Sequence, residues 1–374
     1  MAKNSKLGSA KASKVDEFYT QYADIEKEMQ AYLEYDENVF KGKTILLPCD
    51  DPEWSNFTKY FAQNFETFGL KKLISTSFAA ESKNFKMDWE PTLFETENPM
   101  YSAEKSKTHG KIFILDHDSN QNGRIDIEDL QWEYLEGTGD FRSKEVTALR
   151  DEADIIITNP PFSLFREFLA WIIEGEKQCV IIGNLNSIHY KEVFPLIRDN
   201  KLWLGPSITS GDRAFEMPIT IVDPNKFTGE IKVDENGNKH YYQRVMGVRW
   251  YTNIEHGRRH QPLQLMSMSD NLRYSKHKEI KEYGYLTYDN YDALDIPFCD
   301  SIPSDYEGIM GVPDSFLDKY CPEQFEIISL STGDSAKELG IGKNYRGRTD
   351  IQYTKNGVPQ CPYSRILIRK KTNL

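Results

Sequence analysis

The sequence is poor in the residues that would make it a disulfide scaffold, a zinc module or a membrane protein. Its five cysteines (Cys49, Cys179, Cys299, Cys321 and Cys361) are scattered, with no C-x-x-C pair among them. That pattern speaks against a zinc ribbon and a stapled fold, and for a reducing cytoplasm. No stretch approaches about eighteen consecutive apolar residues, so no membrane span is expected. An excess of positive charge is missing too, the formal net charge being −12. A protein that merely coats DNA needs the opposite sign, because phosphates are held by Lys and Arg. There is no internal repeat.

What is present fits a folded globular chain. Aromatics make up 13% and charged residues 28% of 374 residues, which suits one large or two medium domains and argues against global disorder. Only residues 1–14, rich in Lys, Ser and Ala, lack both an apolar stripe and the apolar core of a signal peptide, so a flexible tail is expected there. Charge is unevenly spread. From Ala336 onward the basic residues are Lys337, Lys343, Arg346, Arg348, Lys355, Arg365, Arg369, Lys370 and Lys371, against Glu338 and Asp350 alone. This is either a DNA-facing rim on an acidic body or a solvated basic tail.

Hydrophobic periodicity outlines the fold. Phe18, Tyr22, Ile25, Met29 and Leu33 recur at helical spacing. Thr44–Pro48 is a short apolar run of the kind a buried parallel strand makes. Trp54, Phe57, Phe61, Phe65 and Phe68 form the next helical stripe, with Gly69 as its stop and Asp51 as N-cap before Pro52. Leu73–Phe78 reads as a strand, which completes a βαβ unit with a right-handed crossover. Further strands are expected at Lys111–Leu115, Asp154–Thr158 and Cys179–Gly183, with a helix through Leu164, Phe165, Phe168, Leu169 and Ile172 that Gly175 closes. The economical reading is an α/β fold, a doubly wound, mostly parallel sheet over residues 15–203. Beyond a soft boundary near 200–205 the texture becomes irregular and rich in Tyr. Residues 204–374 form a C-terminal region, in which Val245–Tyr251 is either a last strand of the first sheet or the start of a second module.

The sharpest chemical signal is Asn159-Pro160-Pro161-Phe162. It follows a strand and precedes a helix, so it sits at the carboxyl edge of a sheet, where open α/β sheets bind ligands. Two prolines stiffen the loop. The Asn side-chain oxygen and the Pro160 carbonyl are fixed acceptors that can take both hydrogens of one amino group. This localises the nitrogen lone pair for attack on a methyl group, while Phe162 stacks on a flat base. Such chemistry needs positioning rather than a strong base. The plain structural alternative is a rigid strand-to-helix turn with Asn as cap.

The tetrapeptide resembles the (Asp/Asn/Ser)-Pro-Pro-(Tyr/Phe) motif of amino-methyltransferases. More closely, the chain resembles the EcoRI-type family of adenine-specific DNA methyltransferases, on four stretches: Asp16–Thr20, Cys49–Phe57, Gly139–Arg142 with Asn159–Phe162, and Trp250–His260. The resemblance implies a class I, Rossmann-like fold, S-adenosylmethionine as cofactor, duplex DNA as partner, and a cognate restriction endonuclease where a restriction–modification setting applies. It also implies a bacterial cytoplasm, with phage genomes as a further source. Tyr19 and Thr20 are similar to the segment over the methionine end of the cofactor, though Gln21 replaces the usual proline. Asp50, Asp51 and Pro52 stand where methyltransferases normally carry a glycine-rich loop, and Asp50 is the first candidate for the cofactor's ammonium group. Asp140 and Phe141 match the pocket for the cofactor's adenine. Ser75, Thr76 and Ser77 offer hydroxyls where an acid usually meets the ribose.

Two further stretches carry expectations of their own. Arg249, Trp250, Tyr251, His256, Arg258, Arg259 and His260 cluster basic and aromatic groups, and Arg249, Arg258, Arg259 and His260 are candidate DNA contacts. A surface loop with a packed Trp explains the same residues. Asp118–Asp129 fits an EF-hand calcium pattern, with Asp118, Asn120, Asn122, Gly123 and Asp126 in register. It lacks the final Glu and an entering helix, so a tight turn is preferred and no metal is expected. The reading that emerges is adenine-N6 methylation of a base flipped out of DNA, since that amine is otherwise paired inside the duplex. An RNA or protein-glutamine methyltransferase, or a non-catalytic DNA-binding protein on this fold, is the alternative.

Overall fold

The structure, a computed structural model, describes residues 19–50, 55–79, 96, 100–125, 129, 131–217, 222, 227–235 and 237–371. The expected tail, Phe18, Asp51, Pro52 and Trp54 lie outside them. Two compact units emerge: Met1–Ser187 with Ser210–Ile254, and Ile188–Thr209 with Glu255–Leu374. The expected single cut near 200–205 is therefore replaced by a chain that leaves the first unit, returns to it, and leaves again.

In the first unit, β1 (Thr44–Leu47), β2 (Lys72–Thr76), β3 (Lys111–Leu115), β5 (Ile155–Thr158) and β6 (Gln178–Asn184) are the strands the apolar runs announce, and β4 (Gln131–Tyr134) is one that no apolar run announced. With β11 (Val248–Thr252) they stand in the order β4-β3-β2-β1-β5-β6-β11. The pairs β1–β2, β1–β5 and β5–β6 are parallel. The pairs β2–β3, β3–β4 and β6–β11 are antiparallel. The sheet is thus mixed rather than mostly parallel. Short apolar runs do not distinguish the two cases, because burial on both faces erases the alternation that would mark a strand's direction. Ile45, Leu46, Leu47, Ile155, Ile156, Ile157, Val180, Ile181 and Ile182 are fully buried.

The helix after β1 starts later than expected. It spans Asn56–Gln63, and its N-cap is Ser55, whose hydroxyl accepts from the Phe57 and Thr58 amides. Ser55 takes the capping role assigned to Asp51, because the chain between β1 and the helix is four residues longer than the Pro52 start required. Gly69 does end the aromatic stripe, as the left-handed cap of Phe65–Phe68. A separate antiparallel sheet, β8-β10-β9, contains β8 (Asp212–Met217), β9 (Glu230–Val233) and β10 (Lys239–Met246). Tyr19 adds to it by exchanging both main-chain hydrogen bonds with Glu216.

The second unit contains β7 (Trp203–Leu204) and its own sheet, β12-β13-β14-β18-β15. The strands are Leu286–Thr287, Leu294–Asp295, Met310–Val312, Ile366–Lys370 and Phe325–Leu330 in that order. Tyr288, Ala293, Ala336, Ile341, Ile351 and Leu367 form one of its cores. No helix of the described residues is long and apolar enough to cross a membrane.

Candidate active site

The carboxyl ends of β1 and β5 are tied together by one buried carboxylate. Asp50, just past β1, is 7% exposed. One of its oxygens accepts from Ser55 Oγ at 2.7 Å, the other from Thr158 Oγ1 at 2.6 Å. Thr158 is the last residue of β5 and the neighbour of Asn159. The Asp50 carbonyl accepts from Ser75 Oγ of β2 at 2.6 Å, and Ser75 Oγ also meets Thr58 Oγ1 at 2.9 Å. Ser55, Thr58, Ser75 and Thr158 are all buried. Hydrogen bonds of this kind are worth most where an unpaired carboxylate would be costly. The network therefore fixes where the loop after β5 begins.

That loop is the tetrapeptide. Asn159 is half-buried, Pro160 buried, and Pro161 and Phe162 half-buried. The Pro161 carbonyl accepts from the Leu164 amide at 2.9 Å, closing a single 3-10 turn before the helix Phe165–Glu174. The Phe162 ring stands edge-on to Phe215 of β8, with centroids 6.5 Å apart and planes at 83°. Phe215 itself is buried.

Tyr19 and Thr20 are held from two sides. Tyr19 is pinned to Glu216, and the Thr20 carbonyl accepts from Asn56 Nδ2 at 2.7 Å, which binds this segment to the start of the helix after β1. The Thr20 hydroxyl, at 4% exposure, and the Thr76 hydroxyl at the end of β2 are buried and have no hydrogen-bond partner among the described residues. A buried hydroxyl in that state has capacity for a water or a ligand. With the Asp50 carboxylate, these groups fit a ligand that carries both an ammonium and hydroxyls.

The loop with Asp140 is packed against β2. Gly139 has φ +81°, and a Cβ there would lie 2.1 Å from the Ser77 carbonyl oxygen, so only glycine fits. Asp140 is gripped by Arg142, whose Nε and Nη2 donate at 2.9 and 2.7 Å while its amide donates at 2.8 Å. The guanidinium beside it holds the Asp140 carboxyl below its ordinary pKa. Arg142 also reaches Glu167 at 3.0 Å. Phe141, expected to wall a pocket, buries its ring against Phe168 and Trp171 at 5.0 and 5.6 Å.

The expected DNA contacts all have partners within the protein, and two of the four are buried. Arg249 is 4% exposed on β11 and donates to the Val248 carbonyl. Arg259 is 6% exposed, with its guanidinium over Trp203 at 4.0 Å and bonded to Asn200 at 2.9 Å and Glu255 at 3.2 Å. Arg258 donates to the Pro206 carbonyl, and His260 pairs with Glu255 and Glu323. Arginine stacked on aromatic rings in a core has the same composition as a nucleic-acid-binding loop. Trp250, fully buried against Phe57, follows the plainer expectation of a packed Trp.

In the calcium-like loop, Asp118 accepts from the Asn122 and Gly123 amides, and buried Asp129 accepts from the Ser119 and Asn120 amides. Among the described residues no cluster of three acid, His or Cys groups suited to a metal is found. Sequence reasoning did not single out Thr158 or Ser55. A hydroxyl residue directly before the tetrapeptide was the available signal for the first, and its contact lies 108 residues away in the chain.

Comparison with known proteins gives the chain its relatives. A family model described as adenine-specific methyltransferase EcoRI matches residues 6–371. The type II methyltransferase M.EcoRI of Escherichia coli is 40% identical over 373 residues, covering 99% of this chain and 98% of that protein. The type II methyltransferases M.MpnI of Mycoplasma pneumoniae and M.MgeORF184P of Mycoplasma genitalium are 31% and 30% identical, each over 98% of its own length and over 98% and 97% of this chain. No solved structure matches the chain.

Proposed function

The chain belongs to the EcoRI family of adenine-specific methyltransferases and is a DNA adenine methyltransferase, and from that premise we propose that Asn159 and Pro160 carry the transfer step. Asn159 Oδ1 and the Pro160 carbonyl accept the two hydrogens of an adenine amino group, and Phe162 stacks on the base. Both acceptors sit on a stiff loop, so little reorganisation accompanies the reaction. S-adenosylmethionine, when bound, supplies an electrophilic methyl group on a sulfonium. On this reading Asp50 holds the ammonium end of that molecule, with Asp51 and Pro52 alongside. Thr20 offers its orphaned hydroxyl, and Tyr19 keeps that segment in place. Asp140 can accept from the adenine amine of the cofactor by sharing lone pairs now committed to Arg142. The parallel strands β2, β1, β5 and β6 serve as the cofactor-binding half of a doubly wound sheet, and the second unit contributes to recognition of a duplex from which the base is flipped.

One observation supports this reading above the others. The Thr158–Asp50 hydrogen bond joins the candidate cofactor carboxylate to the residue that precedes the tetrapeptide. The test is Asn159→Ala with a tritiated methyl donor and duplex DNA. Turnover should fall by about 10²–10³ or more, as for loss of a group that stabilises the transition state, while donor binding and the melting temperature stay near wild type. Turnover at the wild-type rate removes the assignment.

A further inference from the structure

The nine basic residues after Ala336 are not alike once their partners are known. Lys337 pairs with Asp334, Lys355 with Glu279, Arg365 with Asp295 and Arg369 with Glu326. Lys370 and Lys371 donate to the Ser304 and Pro322 carbonyls. Lys343, Arg346 and Arg348 remain, and none of them pairs with a carboxylate among the described residues. All three are exposed, and they fall within six positions of one another. Asp350 faces Arg348 and Arg346; it is half-buried, and burial raises its pKa above the ordinary carboxylate value against their pull.

These three cations are displayed by a rigid turn. Asn344, 6% exposed, accepts from the Arg346 and Arg348 amides at 2.8 and 3.2 Å, and its own amide donates to the Arg348 carbonyl at 2.8 Å. Gly347, at φ +73°, donates to the Asn344 carbonyl at 2.9 Å. Gln352 accepts from the Tyr345 amide, and Asn290 Nδ2 donates to the Gly342 and Asp350 carbonyls at the base. At the tip, Tyr345 is 50% exposed, and the Arg346 guanidinium lies 5.0 Å from its ring with Nε donating to Tyr345 Oη at 2.7 Å. Holding three like charges together on a fixed scaffold is unfavourable without an anion, and a fixed scaffold lowers the entropy lost on binding one.

We propose that the turn Lys343–Arg348 is a duplex-DNA contact, with Lys343 and Arg348 on phosphates and the Tyr345–Arg346 pair at the groove. The proposal rests on the reading that the chain acts on duplex DNA. A polyanionic duplex suits this turn better than a small anion does, because the three cations are exposed side chains spread along six positions, which match several phosphates and not one. Phosphate contacts position the protein and carry a salt signature, about 0.9 in the slope of log affinity against log salt for each phosphate neutralised.

The test compares Lys343→Ala/Arg346→Ala/Arg348→Ala with a control of equal charge change, Lys105→Ala/Lys107→Ala/Lys201→Ala, on exposed lysines elsewhere. Duplex affinity is read by fluorescence anisotropy over a salt series, donor binding by calorimetry and folding by thermal melting. The turn variant should bind about 10–100-fold more weakly near physiological salt and lose about two to three units of slope. Arg348→Gln alone should lose about one unit of slope. Melting and donor binding should hold, and the control should bind like wild type. The proposal fails if the folded turn variant and Arg348→Gln keep the wild-type affinity and slope, or if the control matches the turn variant. A wild-type protein that binds the donor but not the duplex overturns the reading of the substrate, and the proposal with it.

Discussion

At the carboxyl edge of the first unit's sheet, and again in the Glu255–His260 stretch of the second unit, polar groups are withdrawn from water. Asp50, Ser55 and Thr158 form one such set. Arg259 and His256 form the other, with Arg259 sandwiched between Trp203 and Tyr320 and His256 donating from Nε2 to the Leu204 carbonyl and accepting at Nδ1 from the Arg259 amide. Both sets are buried and bonded, so burial of polar atoms alone does not mark a site. The difference lies where each network stops. The first ends next to half-buried Asn159 and Phe162, on a loop outside the sheet. The second is taken up within the protein, by the rings of Trp203 and Tyr320, the Leu204 carbonyl, Asn200 and the ion pair with Glu255, whose carboxylate is 43% exposed. On the proposed reading, a buried polar network serves chemistry when it delivers a rigid group to an accessible position, and serves the fold when its members are spent on one another.

Arg259→Ala tests the closed network and has the largest expected effect on stability. It removes a guanidinium together with its packing on two rings, its hydrogen bond to Asn200 and its ion pair with Glu255. The cost should be about 2–4 kcal/mol, measured as a shift of the denaturant midpoint at constant m-value. Turnover and duplex affinity per folded molecule should stay at wild type. Weaker duplex binding at unchanged stability would restore Arg259 as a DNA contact and dissolve the contrast.

Thr158→Val should give the opposite pattern at the sheet edge. The exchange keeps the shape of the side chain and deletes the hydroxyl, so one Asp50 oxygen loses its donor. Stability should fall by about 1–2 kcal/mol, while turnover falls roughly 10–100-fold because the tetrapeptide loses its anchor. Donor affinity should drop with it if Asp50 faces the ammonium group. Thr158→Ser, which retains the hydroxyl, should recover most of the turnover. A Thr158→Val protein that loses stability but turns over normally would show the two networks to be the same kind of thing.

Most of the strands of the first sheet, and the stiff loop after β5, were legible because their signals are local. An apolar run that ends in Thr158-Asn159-Pro160-Pro161 announces a strand, its end and a stiff turn within a few residues. Strand direction was not legible, since β3, which runs antiparallel to β2, is as apolar as the parallel strands. The return of residues 210–254 to the first unit was legible only in part: Val245–Tyr251 offered itself as a last strand of the first sheet, and Val248–Thr252 does pair with β6, but the residues before it carry no such signal. The fate of the arginines was hidden for a similar reason. Arg258-Arg259 near Trp250 and Tyr251, and Arg346 and Arg348 near Tyr345, read alike as composition. Only the partners supplied by distant residues send one group into a core and leave the other exposed. Ser55 and Thr158 likewise acquire meaning through Asp50, which no spacing rule connects to Thr158.

The smallest expected effect is a pH dependence of the closed network. Burial holds His256 down at about 4, below its ordinary value of 6.5, so the folded state keeps it neutral with Nδ1 as an acceptor. A histidine whose folded pKa is depressed adds stability above its unfolded pKa and loses it as the pH falls toward the folded one. Between neutral pH and about pH 5.5 the native protein should therefore lose about 1 kcal/mol through this group. His256→Gln, which can donate and accept at the same positions, should flatten that part of the profile while turnover per folded molecule tracks the wild type across the same range. If His256→Gln instead changes the pH dependence of turnover, the Glu255–His260 network does not close on itself but reaches the chemistry, and the distinction between the two regions has to be redrawn around His256.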